Sequence, residues 1–479
     1  VGLAQDRLGA PGHPDPVLDD RARWWLESTT GLPLKQTSHR AQEIDLLFTL
    51  ALAAGRRRVT LSWPRLDEST GAIRQPSEPL AREIERLSGT VLPAEDPAGA
   101  QGVERSPAAR PALVEHRPLL DEHEYDLAAL ASGRPELFAH LERSDRFQQA
   151  LAAHTNRWRR AALSDYDGIV GRHTVTASSF TPTSLQDLAA CPFRFLLRHA
   201  LGLQPLDERV EPTPDPRDLG RLAHAVLEEL FRPLLGLRAG ELPERGQLIG
   251  QLEALVEKHR RRLQREGVRG LPVLWRAATQ QMRDELARIV SEELARLGET
   301  SCRPVDVELS LCGRMSVGAT NVEIRGRLDR VDEGTGGIVI TDYKWSQGRS
   351  FHTAKAGDKR LFAGGRQLQL PLYAWLAFRD DRRPIERVRY VFLRLGARQH
   401  ALSVDRATLA AREHDLQGLI GELAARVDAG ELLAVTDGGE RCRSCDFKPL
   451  CGPGRVRLER IKSTDARYVA HRSLEQGYP

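Results

Sequence analysis

A chain of 479 residues, 41% hydrophobic and 28% charged, is long enough for several domains with separate cores. Its 70 Lys and Arg against 66 Asp and Glu leave a formal charge of +4, which excludes a globally polybasic protein, so a polyanionic partner must be met by local clusters. No apolar run approaches a membrane span and the opening VGLAQDRLGAPGHPDP has no secretory apolar stretch, so a soluble cytoplasmic protein with no membrane partner is expected. The sequence starts at Val1 and its two methionines are Met282 and Met315, so a portion of something longer is expected.

The stretch AQEIDLLFTLALAAGRRRVTLSW predicts an apolar helix and then a short strand ending at Pro64. Residues 92–112, rich in Pro, Ala and Gly, predict a linker. Helical periods resume from Glu122 to Ala162, and Thr183 or Ser184 is placed to cap a helix running through Cys191. A Pro- and Asp-rich segment (205–218) precedes the helix LGRLAHAVLEELF, and long charged helical patterns fill 247–297. From residue 305 the period becomes two, in VDVELSL, VEIRGRLD and GIVITDYK, three successive strands of one sheet. A basic, Gly-containing stretch (346–366) leads to the helix QLQLPLYAWLAF, the strand RVRYVFLRL, a further helix and a tail that carries cysteines.

In GRLDRVDEGTGGIVITDYK the turn-rich DEGTGG joins two strands as a hairpin. Alternation on the second strand sets Asp342 and Lys344 on one face with Ile338 and Ile340, and Asp329 lies on the strand before. Two acids and a lysine suit phosphodiester hydrolysis, which needs hard oxygen ligands for Mg²⁺ (or Mn²⁺) and a cation near the attacking water. A lone D-x-K is a short motif that ordinary surface hairpins also show. The helix around residue 224 has the apolar stripe Leu222, Ala223, Val226, Leu227 and Leu230, which leaves His224 on its flank. Gln369 and Tyr373, four apart, share one helix face.

Taken in order, His224, then Asp329 in GRLDRVD, then Asp342 and Lys344 in DYK, then Gln369-x-x-x-Tyr373, the chain resembles the RecB-type nucleases of the PD-(D/E)XK superfamily across residues 178–455. The resemblance implies an α/β, restriction-endonuclease-like core, a mixed sheet flanked by helices. It also implies a Mg²⁺ site of His224, Asp329 and Asp342, with Lys344 assisting the nucleophile and Gln369 and Tyr373 on the helix that lines the DNA path.

The six cysteines (191, 302, 312, 442, 445 and 451) are too few for a disulfide framework in so long a chain, and clustered ones favour a metal. Cys442-x2-Cys445-x5-Cys451 supplies three thiolates, and Cys191, far earlier in LAACPFRFLL, is the candidate fourth that would clamp the two ends of the region. Four thiolates suit zinc equally well. One Cys ahead of the nuclease motifs and C-x2-C-x5-C behind them resembles the staple in the AddB member of AddAB-type helicase–nucleases, which implies a [4Fe–4S] cluster. Cys302 and Cys312 lack partners at ligand spacing and are expected to be unligated.

Residues 56–80, RRRVTLSWPRLDESTGAIRQPSEPL, also resemble the AddB chain upstream of its nuclease domain, where a helicase-like fold has lost its motor motifs. The sequence contains no G-x-x-x-x-G-K-[ST], hence no phosphate-cradling loop for ATP. Three regions are expected: a helicase-like α/β remnant (1–91), a linker and helical connector (92–177), and the nuclease domain with its iron–sulfur staple (178–479). The basic segments 257–269 and 355–366 are candidates to neutralise phosphates, and Trp345 and Phe351 to stack bases of a single strand. The expected function is a metal-dependent DNA exonuclease or endonuclease in double-strand break processing and recombinational repair. It would act on single strands made by a helicase partner of the AddA type, with which it would form a heterodimer. The alternative is a non-catalytic, iron–sulfur or zinc-stapled DNA-binding scaffold of such a complex.

Overall fold

The computed structural model describes residues 3, 18–34, 36, 39–65, 73–93, 97–104, 121–132, 134–172, 179–204, 213–268, 270–318, 320–348, 361–378, 384–394, 401–436, 442–443, 445–452 and 454–479. Residues 94–96 and 105–112 of the expected linker, 205–212 of the Pro- and Asp-rich segment, Phe351 and residues 355–360 of the basic tract lie outside them. The chain divides into two compact units, Val1–Thr155 with Gly452–Arg460, and Asn156–Cys451 with Ile461–Pro479.

The first unit is helical, with α1 (Asp20–Thr30), α2 (His39–Ala53), α3 (Glu78–Ser88), α4 (Glu122–Ser132), α5 (Pro135–Glu142) and most of α6 (Asp145–Trp158). Asp19 caps α1 by accepting from the Ala22 N–H, and Gly31 ends it in the left-handed region at φ 69°. The strand predicted before Pro64 does not form. An extended segment needs a neighbour to satisfy its main chain, and here Trp63 donates its indole N–H to the Arg74 carbonyl across a loop instead.

The second unit opens with α7 (Pro182–Ala190) and α8 (Pro192–Phe195), then α9 (Pro216–Phe231), α10 (Arg245–Arg265) and α11 (Pro272–Glu299). Strands β1 (Arg303–Val317), β2 (Thr320–Gly334) and β3 (Gly337–Lys344) follow, then α12 (Gln369–Phe378), β4 (Ile385–Phe392) and β5 (Ala401–Asp405). Helices α13 (Arg406–Ala411), α14 (Glu413–Ala429), α15 (Lys448–Cys451), α16 (Arg455–Lys462) and α17 (Ala466–Gly477) end the chain, most of α16 belonging to the first unit. The sheet order is β1-β2-β3-β4-β5. Every pairing is antiparallel except β3 with β4, which are parallel. A parallel pair requires a crossover, and α12 lies in it. The sheet is therefore mixed, as expected.

Both faces of the sheet are covered. On one, Leu328, Ile338, Ile340, Tyr390 and Phe392 pack with α7, α12 and α14. On the other, Val307, Tyr343 and Val391 pack with α9, α10 and α11. Burial on both sides explains why GIVITDYK, whose first seven residues are all buried, is almost continuously apolar until its chemical end.

Helix α7 starts earlier than Thr183 or Ser184 would set it. Thr181 is the cap, with Ser184 closing a capping box and Pro182 at the first helical position. It stops at Ala190 because Pro192 disfavours helical geometry in the residue before it, and Cys191 is extended at φ −160°. Strand β5, ALSVD, is only five residues long and is not among the expected strands. Among the described residues no helix is long and apolar enough to cross a membrane.

Candidate active site

The hairpin register pairs Arg330 with Thr341, which carries Asp329 and Asp342 to opposed positions on the same face. The Tyr343 N–H donates to Asp329 Oδ2 at 2.7 Å and so fixes that carboxylate across the two strands. Asp342 is buried and ion-paired with Lys344, whose Nζ lies 5.2 Å from the Tyr390 ring centroid. The predicted pairing of acid and ammonium at the end of this strand is present.

His224 arrives from α9. Asp215 caps that helix, Pro216 begins it, and the predicted stripe of Leu222, Ala223, Val226, Leu227 and Leu230 is fully buried. Burial of the stripe turns His224 sideways, and its Nδ1 stands 3.4 Å from Asp329 Oδ1. On β1, Val307 pairs with Arg330 and Leu309 with Leu328, so Glu308 falls across from Asp329. Its φ of 55° is left-handed, rare for a residue with a side chain. Arg327 pairs with its carboxylate at 2.5 Å. Among the described residues, His224, Glu308 and Asp329 form a group whose donor atoms all lie within 4.8 Å of one another.

Sequence reasoning misses Glu308. In VDVELSL it alternates with Asp306 and Ser310 on what reads as an ordinary polar strand face, and only the register across to Asp329 distinguishes it.

Three carboxylates converge here with one lysine and one imidazole, and their proton affinities record the crowding. Burial pushes the Asp342 carboxyl up to about 6, and the Asp329 charge adds to this against the pull of Lys344. Glu308 rises to about 7 for the same two reasons, burial first and the Asp329 charge second. Burial opposes charge on His224, but its hydrogen bond to Asp329 and the charges of Asp329 and Asp342 prevail and lift it to about 8. Hard carboxylate oxygens plus one imidazole nitrogen are a donor set that suits Mg²⁺ or Mn²⁺, and a divalent cation would relieve the excess negative charge.

Helix α12 roofs this face. Gln369 and Tyr373 hydrogen-bond to each other, and the Tyr373 phenol is pushed far up by burial and then by the charges of Asp342 and Asp329. The close approach of α12 depends on Gly326 of β2, where a Cβ would stand 2.7 Å from Leu376 Cδ1 and 3.2 Å from Tyr373 Cε1. Trp345, proposed from sequence as a base stacker, is half-buried and leans on the core around α9.

The four cysteines named from spacing occupy two places. Cys191 is the extended residue between α7 and α8, and its Sγ accepts from the Val435 N–H at 3.5 Å. Cys442 and Cys445 lie in the turn before α15, and Cys451 ends that helix. The two places adjoin. Arg198, one turn past α8, donates to Asp446 at 2.6 Å and covers the Phe447 ring at 5.7 Å. Arg217 at the start of α9 donates to both oxygens of Asp446, at 3.0 and 3.2 Å. All four thiols are half-buried, whereas Cys302 is in the core and Cys312 is exposed on β1.

Residues 179–452 match the PD-(D/E)XK nuclease superfamily. The chain is also similar to an AddB-type ATP-dependent helicase/deoxyribonuclease protein of Moorella thermoacetica, at 28% identity over 400 residues. That alignment takes in 78% of this chain and 32% of the relative, so the chain spans about a third of the relative's length. Among solved structures, SSO0001 matches with 14% identity and a TM-score of 0.26, over 58% of this chain and 88% of that one. A putative exonuclease from Eubacterium rectale matches with 12% identity and a TM-score of 0.34, over 57% and 88%. The assignment stands on the superfamily match alone, which crosses more than half of the sequence. The chain belongs to the PD-(D/E)XK nuclease superfamily.

Proposed function

We propose that the second unit is a metal-dependent deoxyribonuclease acting on single strands delivered by a helicase partner of the AddA type, in double-strand break processing. The observation that carries this reading is the convergence of Asp329, Asp342, Glu308 and His224 from three strands and a helix, with Lys344 beside them. His224, Asp329 and Asp342 would hold the Mg²⁺ or Mn²⁺, with Glu308 at the same mouth. A divalent ion bound there supplies Lewis acidity and lowers the pKa of a bound water.

The chain's own residues do the rest. The Tyr343 N–H holds the Asp329 rotamer. Lys344 orients the attacking water or neutralises phosphate charge, and Gln369 and Tyr373 present polar groups along the DNA path. On this reading residues 1–91 are a helicase-like remnant, 92–177 a connector and 178–479, which fall in the second unit apart from Gly452–Arg460, the nuclease domain. Cys191, Cys442, Cys445 and Cys451 would hold a [4Fe–4S] cluster, with zinc as the alternative, joining the start of the nuclease region to its end. Support comes from the contacts of Arg198 and Arg217 with Asp446, which seat the cysteine loop against the helices after Cys191.

One purified sample tests both parts. Anaerobic protein should contain iron rather than zinc, and should shorten labelled single-stranded DNA only when Mg²⁺ is present. A sample that shifts DNA on a gel without cleaving it would mark a binding scaffold instead.

A further inference from the structure

A lysine that serves a phosphate must stay in place once its acidic neighbour turns to a metal ion. Lys344 has Asp342 as its partner. When Asp342 shares its charge with a divalent ion, that hold weakens, and a four-carbon side chain with its rotamer freedom restored would swing toward water.

The structure gives the ammonium a second contact in the same place. Tyr390 on β4 is paired in parallel register with Asp342, its ring 5.2 Å from Lys344 Nζ. That is inside the range in which a ring face attracts an ammonium, and the attraction grows where water is excluded. Tyr390 is 2% exposed, while the Lys344 side chain is 20% exposed. The Phe392 ring stands 6.3 Å from that of Tyr390, and the Tyr390 hydroxyl faces the Leu370 main chain at the start of α12. The ring is thus wedged between its own strand and the helix that roofs the site. The ring is held in place and so presents a fixed face to the ammonium.

We propose that Tyr390 is the positioning residue of Lys344, whose aromatic face keeps the ammonium in the site when Asp342 is engaged by the metal. For its catalytic consequence the proposal rests on the nuclease reading given above. For its geometric content it does not.

The test uses the full chain with Mg²⁺ and compares Tyr390→Phe, which keeps the ring, with Tyr390→Leu and Tyr390→Met, which remove it. Two readouts are taken: kcat and KM on single-stranded DNA, and the rate of reductive methylation of Lys344 by mass spectrometry. The Phe variant should stay within about twofold of the parent in both, whereas Leu and Met should lose about tenfold in kcat at unchanged KM, a size within reach of one cation–ring contact. In both, Lys344 should be methylated several-fold faster. In a Lys344→Ala background, removing the ring should change kcat no further, whereas a merely structural role would lower it again.

Parental methylation rates in both Leu and Met, or a Phe variant as impaired as Leu, would overturn the proposal. A parent that cleaves no DNA would sink the nuclease reading alone, since the methylation comparison would still decide the role of the ring.

Discussion

The two faces of the β2–β3 hairpin carry charges of opposite fate. Asp329 and Asp342 lie on the side of α12, and their sequence neighbours Arg330 and Tyr343 face α11. On the α11 face Arg330 is fully buried, donates to Glu293, Asp332 and the Tyr343 hydroxyl, and lies 4.4 Å from the Phe231 ring centroid. Arg389 joins through Glu293 and Thr341, and Arg296 through Glu293 and Asp332. Each acid there has guanidinium partners. Burial opposes the charge of Glu293, yet Arg330, Arg389 and Arg296 hold its carboxyl far below the ordinary range. At the site, burial and the Asp329 charge push Asp342 and Glu308 up. The closed cluster, with three guanidiniums around two carboxylates, locks the strands, and the open site offers the carboxylates proposed to hold a cation. The same two strands build both because their side chains alternate.

Breaking the closed cluster should cost most. Glu293→Ala strands buried guanidinium charge and should lower unfolding free energy by about 3–5 kcal/mol, measured by urea denaturation. The open site should respond in activity rather than stability. Asp342→Ala, which removes a proposed metal ligand, and Lys344→Ala, which removes the cation proposed to serve the reacting phosphate, should each lower Mg²⁺-dependent cleavage by about 10²–10³-fold with a urea midpoint close to the parent's.

A smaller effect separates the faces by pH. Asp342, Glu308 and His224 all bind protons more tightly folded than unfolded, with folded values of about 6, 7 and 8. Their contribution to stability is therefore present at low pH and is lost as the pH rises through those values in turn. Metal-free protein titrated from pH 5 to 9 should show this loss, and Asp342→Asn or Glu308→Gln should flatten it. Adding Mn²⁺ should reverse it, because the ion takes the place of the protons.

The smallest change belongs to the cysteine loop. Asp446→Asn, which weakens partly exposed ion pairs with Arg198 and Arg217, should cost about 0.2–1 kcal/mol. The loss should appear as faster amide exchange at the start of α9 while α14 is unchanged.

Much of this can be read from the residues alone. Alternation in GIVITDYK predicts the side-by-side acid and lysine, and the stripe in α9 predicts where His224 stands, because both depend on local periods of two and 3.6. Glu308 is illegible, since its importance arises from a register across β1 and β2 and from a left-handed φ that no local pattern encodes. The Arg330 cluster is hidden for a similar reason. Arg330 sits beside Asp329 in sequence, and only the sheet's two covered faces reveal that one is packed inside and the other opens on the site. The absent strand before Pro64 and the unexpected β5 show the converse, that pairing partners rather than propensity decide short strands.

Calorimetric titration of Mn²⁺ into the purified chain reads most directly whether the carboxylates around Asp329 hold a divalent ion as proposed. One saturable site is expected at pH 8, with weaker binding at pH 6 where Glu308 and His224 hold protons, and none in Asp329→Ala. Equal binding by parent and Asp329→Ala, or tighter binding at pH 6, would contradict it.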